Sequence, residues 1–356
     1  MCSYLNRKTN ALKDHETPAG TTGEGKGIRL ETANRRRVSE QIKEQVQQWT
    51  DFLFSDFRSV GLFYCISQNL YVGLAEQYQL SKSDSPTASG VVLNPSDAGQ
   101  CLTEMQRTEA FVKGLDQAIQ VKKAEGKAPV RVFYAGCGPF ATLILPLTFR
   151  YSPEELRVTI LDYHQQSIDS ATHLLESLGK EAYIEGAVVH DAVTYKVPEG
   201  YQPDIFLTET LQRALTQECQ VPIVCNLLPQ FSEDVILVPR EIRVHGLWTE
   251  LPKGEENRAA VTPHDVETDP IIRFNADTAR SGRYVFGVEG KAAANDAQTF
   301  CLQTEIDVFG EWKLRRNETG LTCPHPMPEV KVKPGEILHF EYEVSGQPGL
   351  RQVSSV

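Results

Sequence analysis

The sequence predicts an α/β protein in which helices come first, a doubly wound parallel sheet follows, and an antiparallel β-module ends the chain. Three observations predict it. From about 126 to 239, short apolar strands alternate with helical stretches, which implies βαβ units and a parallel sheet. From about 240 to 356, apolar and polar residues alternate with a period of two, as in half-buried antiparallel strands. From 38 to 125, apolar residues recur at helical spacing. A length of 356 residues agrees with more than one unit, at roughly 150 residues per domain.

Each element follows from its residues. The stretch from 1 to 37 is polar and turn-rich, with Pro18 to Gly27 at its centre, and reads as a flexible or disordered tail. Its Arg35-Arg36-Arg37 run reads as a solvated helix start. Ile42, Val46 and Trp49 recur at spacings of four and three on one helix face, and Phe52, Phe54, Phe57, Leu62 and Phe63 continue the apolar pattern to about Glu76. Residues 82 to 97 hold Ser, Asp, Pro and Gly and read as a loop. Phe111, Leu115 and Ile119 mark a helix over 103–121. Val130 to Ala135 is the first strong strand, followed by a glycine turn and an apolar helix over about 140–149. Strands over Val158–Asp162, Ala187–Val189 and Asp204–Thr208 flank a helix over Gln165–Leu178. Alternation in Phe300–Val308 and Leu338–Val344, broken by turns such as Lys333-Pro-Gly335, points to a barrel or sandwich at the end.

Composition narrows the function. The chain is 40% hydrophobic and 23% charged, as in an ordinary globular protein, with a net charge of −11. That balance argues against nucleic acid, whose phosphates need a surplus of Lys and Arg, and it suits a cationic substrate. The longest near-apolar run, Phe140 to Phe149, is interrupted by Thr142, Pro146 and Thr148 and is far short of the ~20 residues of a membrane helix. Asn6, Arg7, Lys8 and Asp14 stand where a secretory signal needs an apolar core. The 8 cysteines are scattered singly with no CxxC pair, so neither a zinc ribbon nor a redox pair is expected. The reading is a cytoplasmic protein with reduced thiols, with no membrane partner and no metal site.

Two motifs carry chemistry. The first is Val132-Phe-Tyr-Ala-Gly-Cys-Gly-Pro-Phe140, a strand followed by a tight turn. Gly136 and Gly138 let the backbone approach a ligand, and the helix start expected after them would favour negative charge. Asp162 closes the next strand 24 positions after Gly138, where an acid accepts hydrogen bonds from ribose hydroxyls. Asp191, with His190 beside it, closes another strand where an acid can meet an adenine. No spaced GxGxxG is present, which favours a nucleoside without pyrophosphate, S-adenosylmethionine over NAD. The second motif is Asp204-Ile-Phe-Leu-Thr-Glu-Thr-Leu-Gln-Arg-Ala-Leu-Thr-Gln-Glu218. Glu209 stands at a strand end, on the side where open α/β sheets bind ligands, and Glu218 follows nine positions later. Taken alone, the pair also fits a helix cap and a surface charge.

This second segment resembles the double-glutamate loop of the protein arginine methyltransferases, in which two acids clamp a guanidinium. Other pieces follow in the same order. Glu104-Met-Gln-Arg-Thr-Glu-Ala-Phe111 resembles the helix ahead of that family's nucleotide domain, and the resemblance implies that Arg107 binds the carboxylate of S-adenosylmethionine. Leu228-Pro to Pro239 with Ile242-Arg-Val-His245 resembles the passage into the family's β-barrel, and Val330 to Leu338 resembles a late barrel strand pair. The resemblance runs from about 95 to 345. It implies a Rossmann-like class I methyltransferase domain with N-terminal helices and a C-terminal antiparallel β-barrel, and a homodimer. The pattern departs at Tyr134, where the family carries an acid, at the absent third glycine, and at Asn317-Glu318-Thr319, near the place of a Thr-His-Trp loop. The region after 240 is also short for a barrel with a dimerisation arm. Together these favour the relatives that make Nω-methyl-L-arginine from free L-arginine in natural-product pathways.

The chemistry explains the residues. A guanidinium stays cationic, with its lone pairs delocalised. Two carboxylates offset its charge beside a sulfonium, and a bidentate fork fixes its plane. Glu209 and Glu218 are therefore the expected catalytic pair, with Arg107, Gly136, Gly138, Asp162 and Asp191 on the cofactor. Two other classes stay open at this point: a methyltransferase with a different nucleophile, which paired acids disfavour, and a catalytically silent partner that keeps the fold.

Overall fold

The computed structural model describes residues 39–251, 261–282, 285–291, 293, 296–330, 335–344 and 346–353. The tail over 1–37, its arginine run, and Lys333-Pro334 of the late turn lie outside the described residues.

The N-terminal helical stretch is broken in two. Helix α1 (Glu40–Phe54) ends at Ser55, and α2 (Val60–Tyr78) begins after Ser59, whose side chain accepts from Leu62 N. Ser-Asp-Phe-Arg-Ser supplies a stop and a new cap, so one apolar pattern becomes a hairpin of helices. The next segment, expected as a loop, is structured. It forms a short hairpin of β1 (Ser85–Thr87) and β2 (Gly90–Val92), then α3 (Pro95–Gln100). The side chain of Asn94 caps α3 by accepting from Asp97 N, with Pro95 in the first turn. That is a recognisable helix start, hidden here among turn-forming residues. Helix α4 (Met105–Ala124) follows and lies against the sheet.

The central sheet is parallel throughout. Strands β3 (Val130–Ala135), β4 (Leu156–Asp162), β5 (Ile184–Val189), β6 (Ile205–Thr208) and β7 (Ile236–Val238) lie in the order β5-β4-β3-β6-β7. The chain winds outward from β3 to β5 and then returns to β6 on the other side of β3. The carboxyl ends of β3 and β6 therefore flank the point where the winding reverses, the usual ligand crevice of such sheets. This is the Rossmann-like arrangement expected. Strands β3, β4 and β6 are almost wholly buried, which is why their sequences are nearly continuous apolar runs.

One helix expected in this region is missing. After the glycine turn the chain runs through turns into a 3₁₀ segment at Leu145–Phe149, with Ala141 at φ 44° and Pro146 in its first turn. A proline there removes a donor and crowds the preceding turn, so the apolar run packs as irregular core. The helix-dipole argument for the glycine turn therefore does not hold. Helices α5 (Gln165–Ser177) and α6 (Gln220–Leu227) cover the sheet.

The C-terminal strands are antiparallel, as the alternation predicts, but they form two separate sheets. Strands β8 (Glu241–Thr249), β9 (Val266–Asn275), β11 (Thr299–Phe309) and β12 (Trp312–Leu314) run in the order β12-β11-β8-β9, with β13 (His325–Pro326) also on β11. The short helix α7 (Ala276–Ser281) follows β9. Strand β10 (Val285–Glu289) pairs with β14 (Ile337–Glu343), which pairs with β15 (Gly349–Val353). No pairing among the described residues joins these sheets into a closed barrel, so the antiparallel strands are shown and the barrel is not. The β-module packs tightly against the rest. A Cβ on Gly114 of α4 would lie 2.7 Å from Val308 of β11. Among the described residues no helix is long and apolar enough to cross a membrane.

Candidate active site

All seven residues singled out from the sequence line one cleft: Arg107, Gly136, Gly138, Asp162, Asp191, Glu209 and Glu218. The cleft encloses about 940 Å³, its open mouth included. It lies at the carboxyl ends of β3, β4 and β6, where the winding of the sheet reverses.

The glycine turn forms one wall. Gly136 N donates to Leu161 O at 2.8 Å, and Gly138 N donates to Asp162 Oδ2 at 2.9 Å. Asp162 Oδ1 accepts from His164 N at 2.9 Å. The carboxylate of Asp162 thus braces both the turn and its own strand end. Ser167 also bonds this carboxylate, which leaves it one lone pair for a ligand hydroxyl. Burial raises the pKa of Asp162, while the bonds from His164 and Gly138 pull it down. Gly136 has φ +73°, and a Cβ there would stand 2.4 Å from Thr210 Cγ2, so glycine is required by conformation and by space. Asp191 is half-buried, and its Oδ1 accepts from Val193 N at 2.9 Å. His190 is exposed and does not line the cleft.

The acid loop forms the opposite wall. Gln220 of α6, 2% exposed, accepts from Thr210 N and Thr210 Oγ1, both at 3.0 Å, and closes the neck of the loop beside Glu209. The Glu209 side chain is 7% exposed. Its Oε2 pairs with Nη2 of Arg107, and its Oε1 is buried with no hydrogen-bond partner. Burial pushes the Glu209 carboxyl up to about 6, against the pull of Arg107. Glu218 is half-buried. Burial pushes its carboxyl up to about 7, with Arg107 again opposing and Glu209 adding repulsion. Burial also works against the charge on Arg107, but Cys101, Glu209 and Glu104 around it hold its pKa well above the usual value. The site therefore sets two acids of raised pKa around one cation and leaves one buried acceptor unfilled. Such an arrangement has the chemistry to accept a second cation.

Several functional positions were not singled out from the sequence. Val91, Val92, Leu93 and Ala98 of the unforeseen hairpin and helix line the cleft. Glu104, at the start of α4, has a buried Oε2 with no hydrogen-bond partner. Tyr134, noted only as a departure from a pattern, is 3% exposed in the cleft wall, and burial keeps its hydroxyl protonated. Cys101 also lines the cleft, its thiol pushed up to about 12 by burial. Among the described residues no group of three His, Cys, Asp or Glu is placed to hold a metal ion.

No family model and no curated protein matches the chain. Among solved structures it is similar to the Trypanosoma brucei PRMT1 enzyme–prozyme heterotetrameric complex with AdoHcy, at 15% identity, covering 68% of this chain and 85% of that one, with a TM-score of 0.43. It is also similar to Arabidopsis thaliana protein arginine methyltransferase 10 in an open conformation, at 12% identity, covering 67% of this chain and 85% of that one, with a TM-score of 0.48. At such values the likeness says nothing about this chain's substrate, which has to be argued from the cleft itself.

Proposed function

We propose that this protein transfers a methyl group from S-adenosylmethionine to a guanidino nitrogen of arginine, free L-arginine ahead of protein-bound arginine. The observation that carries the reading is the pairing of two acids, one with a buried and unfilled oxygen, in one cleft with a glycine turn and a ribose-type aspartate. The residues fit the donor. Arg107 would hold its carboxylate, Asp162 its ribose hydroxyls and Asp191 its adenine side, with Gly136 and Gly138 leaving room for close backbone approach.

The donor supplies a methyl already activated on sulfur, so the protein has mainly to position and to balance charge. Glu209 and Glu218 do both. When a guanidinium enters, it adds a cation beside both carboxyls and favours their ionised forms. The ionised pair then holds the plane of the guanidinium and draws its positive charge away from the attacking nitrogen. The proton lost on transfer leaves to one of these carboxylates, or past it to water. Free arginine is placed first because the region after 240 is short for a barrel with a dimerisation arm and Asn317-Glu318-Thr319 stands near the place of the Thr-His-Trp loop, which together leave less surface for a protein substrate.

Incubation with methyl-labelled donor and either L-arginine or an arginine-rich protein tests the reading. Label in L-arginine supports it in full, and label only in protein corrects the substrate. Label in neither, with another small molecule accepting, removes the guanidine claim.

A further inference from the structure

The loop that carries the two acids has a backbone it cannot hold by itself. Ala214, Leu215 and Gln217 have φ of 58°, 55° and 63°, and none is glycine. Left-handed backbone is disfavoured for residues with a Cβ and persists only where surroundings impose it. Here each strained residue is tied to a segment far away in sequence. Ala214 N donates to Thr304 Oγ1 of β11 at 2.7 Å. Tyr342 Oη of β14 donates to Leu215 O at 2.7 Å. Gln217 N donates to Pro348 O at 2.9 Å, and Gln217 O accepts from Val91 N at 2.8 Å. Thr304 and Tyr342 are each 2% exposed, so no water stands in for either bond.

We propose that Thr304 and Tyr342 are positioning residues that fix where Glu218 stands relative to Glu209. This deepens the methyl-transfer reading and rests on it. Glu209 is fixed from its own strand, because it follows β6 directly and Gln220 clamps the residues on either side of it. Glu218 stands on no strand of the sheet; its backbone is held by a bridge to Val91 and by the path of the loop through Ala214, Leu215 and Gln217. Relaxation of Ala214 or Leu215 toward ordinary backbone alters that path and pulls on Glu218. Thr304 and Tyr342 come from different sheets, so the two C-terminal sheets converge on this one loop. The β-module thereby sets the spacing of the acids without touching a ligand.

The test uses the full chain with Thr304→Val, Thr304→Ser and Tyr342→Phe. Thr304→Val and Tyr342→Phe should each lower kcat/KM for the guanidine about tenfold, the effect of one buried hydrogen bond, with donor affinity unchanged. Thr304→Ser, which keeps the hydroxyl, should restore the wild-type value. Carboxyl-carbon NMR titration of Glu218 in the ligand-free variants supplies a second readout that needs no turnover. Its midpoint should fall toward the ordinary carboxylate range in Thr304→Val and Tyr342→Phe and stay in place in Thr304→Ser. Unchanged titration and unchanged kcat/KM in both disabling variants would overturn the proposal. If the wild-type protein methylates no guanidine, the methyl-transfer reading fails, and the titration alone judges the brace. If Thr304→Val does not fold, Tyr342→Phe, which keeps the buried ring, decides.

Discussion

The two walls of the cleft are built in different ways. The glycine wall is held by its own neighbourhood: Gly136 and Gly138 bond to the next strand of the same sheet, through Leu161 and Asp162. The acid wall is held from outside, by β11, β14, the Pro348 region and the β1–β2 hairpin. The contrast teaches that one half of the site comes with the sheet, and the other half depends on the β-module being folded and docked.

The largest effect expected separates the walls by function. Glu218→Gln should lower kcat at least ~10²-fold with donor binding intact, because it removes charge that offsets the guanidinium and leaves the donor side alone. Glu209→Gln should lose a similar rate and also tighten donor binding, since it frees Arg107 from its carboxylate partner. Isothermal titration with S-adenosylmethionine, run beside steady-state rates, reads both. Equal donor affinity in the two variants would erase the distinction between the walls.

The next effect tests the glycine wall. Gly136→Ala combines left-handed backbone with a contact to Thr210, whose hydroxyl is already held by Gln220. It should cost about 1–3 kcal/mol of stability and weaken donor binding at least tenfold. Gly138→Ala meets only Ala98 at 3.7 Å and should cost less, about 1 kcal/mol. Thermal melts and donor titration rank the two, and the reverse order would show that the turn is not built as described.

A third effect concerns protons. Glu218 is raised from 4.5 to about 7 and Glu209 from 4.5 to about 6. Both folded values lie above the unfolded ones, so the folded protein binds more protons within that window. Stability of the ligand-free protein is therefore full below 4.5 and should fall as pH rises through about 7, by on the order of a few kcal/mol at most for half-buried groups. Adding L-arginine should reverse part of that loss and release protons near pH 6 to 7, but not well above neutrality. Calorimetry in buffers of different ionisation enthalpy counts those protons, and a count of zero throughout would show that the acids are already ionised.

Much of the site was legible because it is local. Gly136, Gly138, Asp162, Asp191 and Glu209 all sit at or just after the carboxyl ends of parallel strands, and the strands announce themselves as apolar runs. What was hidden depends on contacts between distant segments. The Arg107–Glu209 pair joins residues 102 positions apart, and no periodicity in either segment points to the other. The hairpin at 85–92 was masked because its strands have three residues each and two turn-rich flanks. The helix expected over 140–149 failed at Pro146, where apolar composition outweighed a breaker in the reading. Closure of the C-terminal strands was not legible either, because alternation identifies antiparallel strands and says nothing about which edges join.

The ion pair between Arg107 and Glu209 joins the two halves of the cleft through one residue on each side. Coupling free energies are reciprocal. If an anionic group on the first ligand draws Arg107 away, Glu209 becomes more available to the second ligand, and filling Glu209 must strengthen the hold on the first by the same factor. On the proposed function, the two molecules would therefore fill the cleft cooperatively.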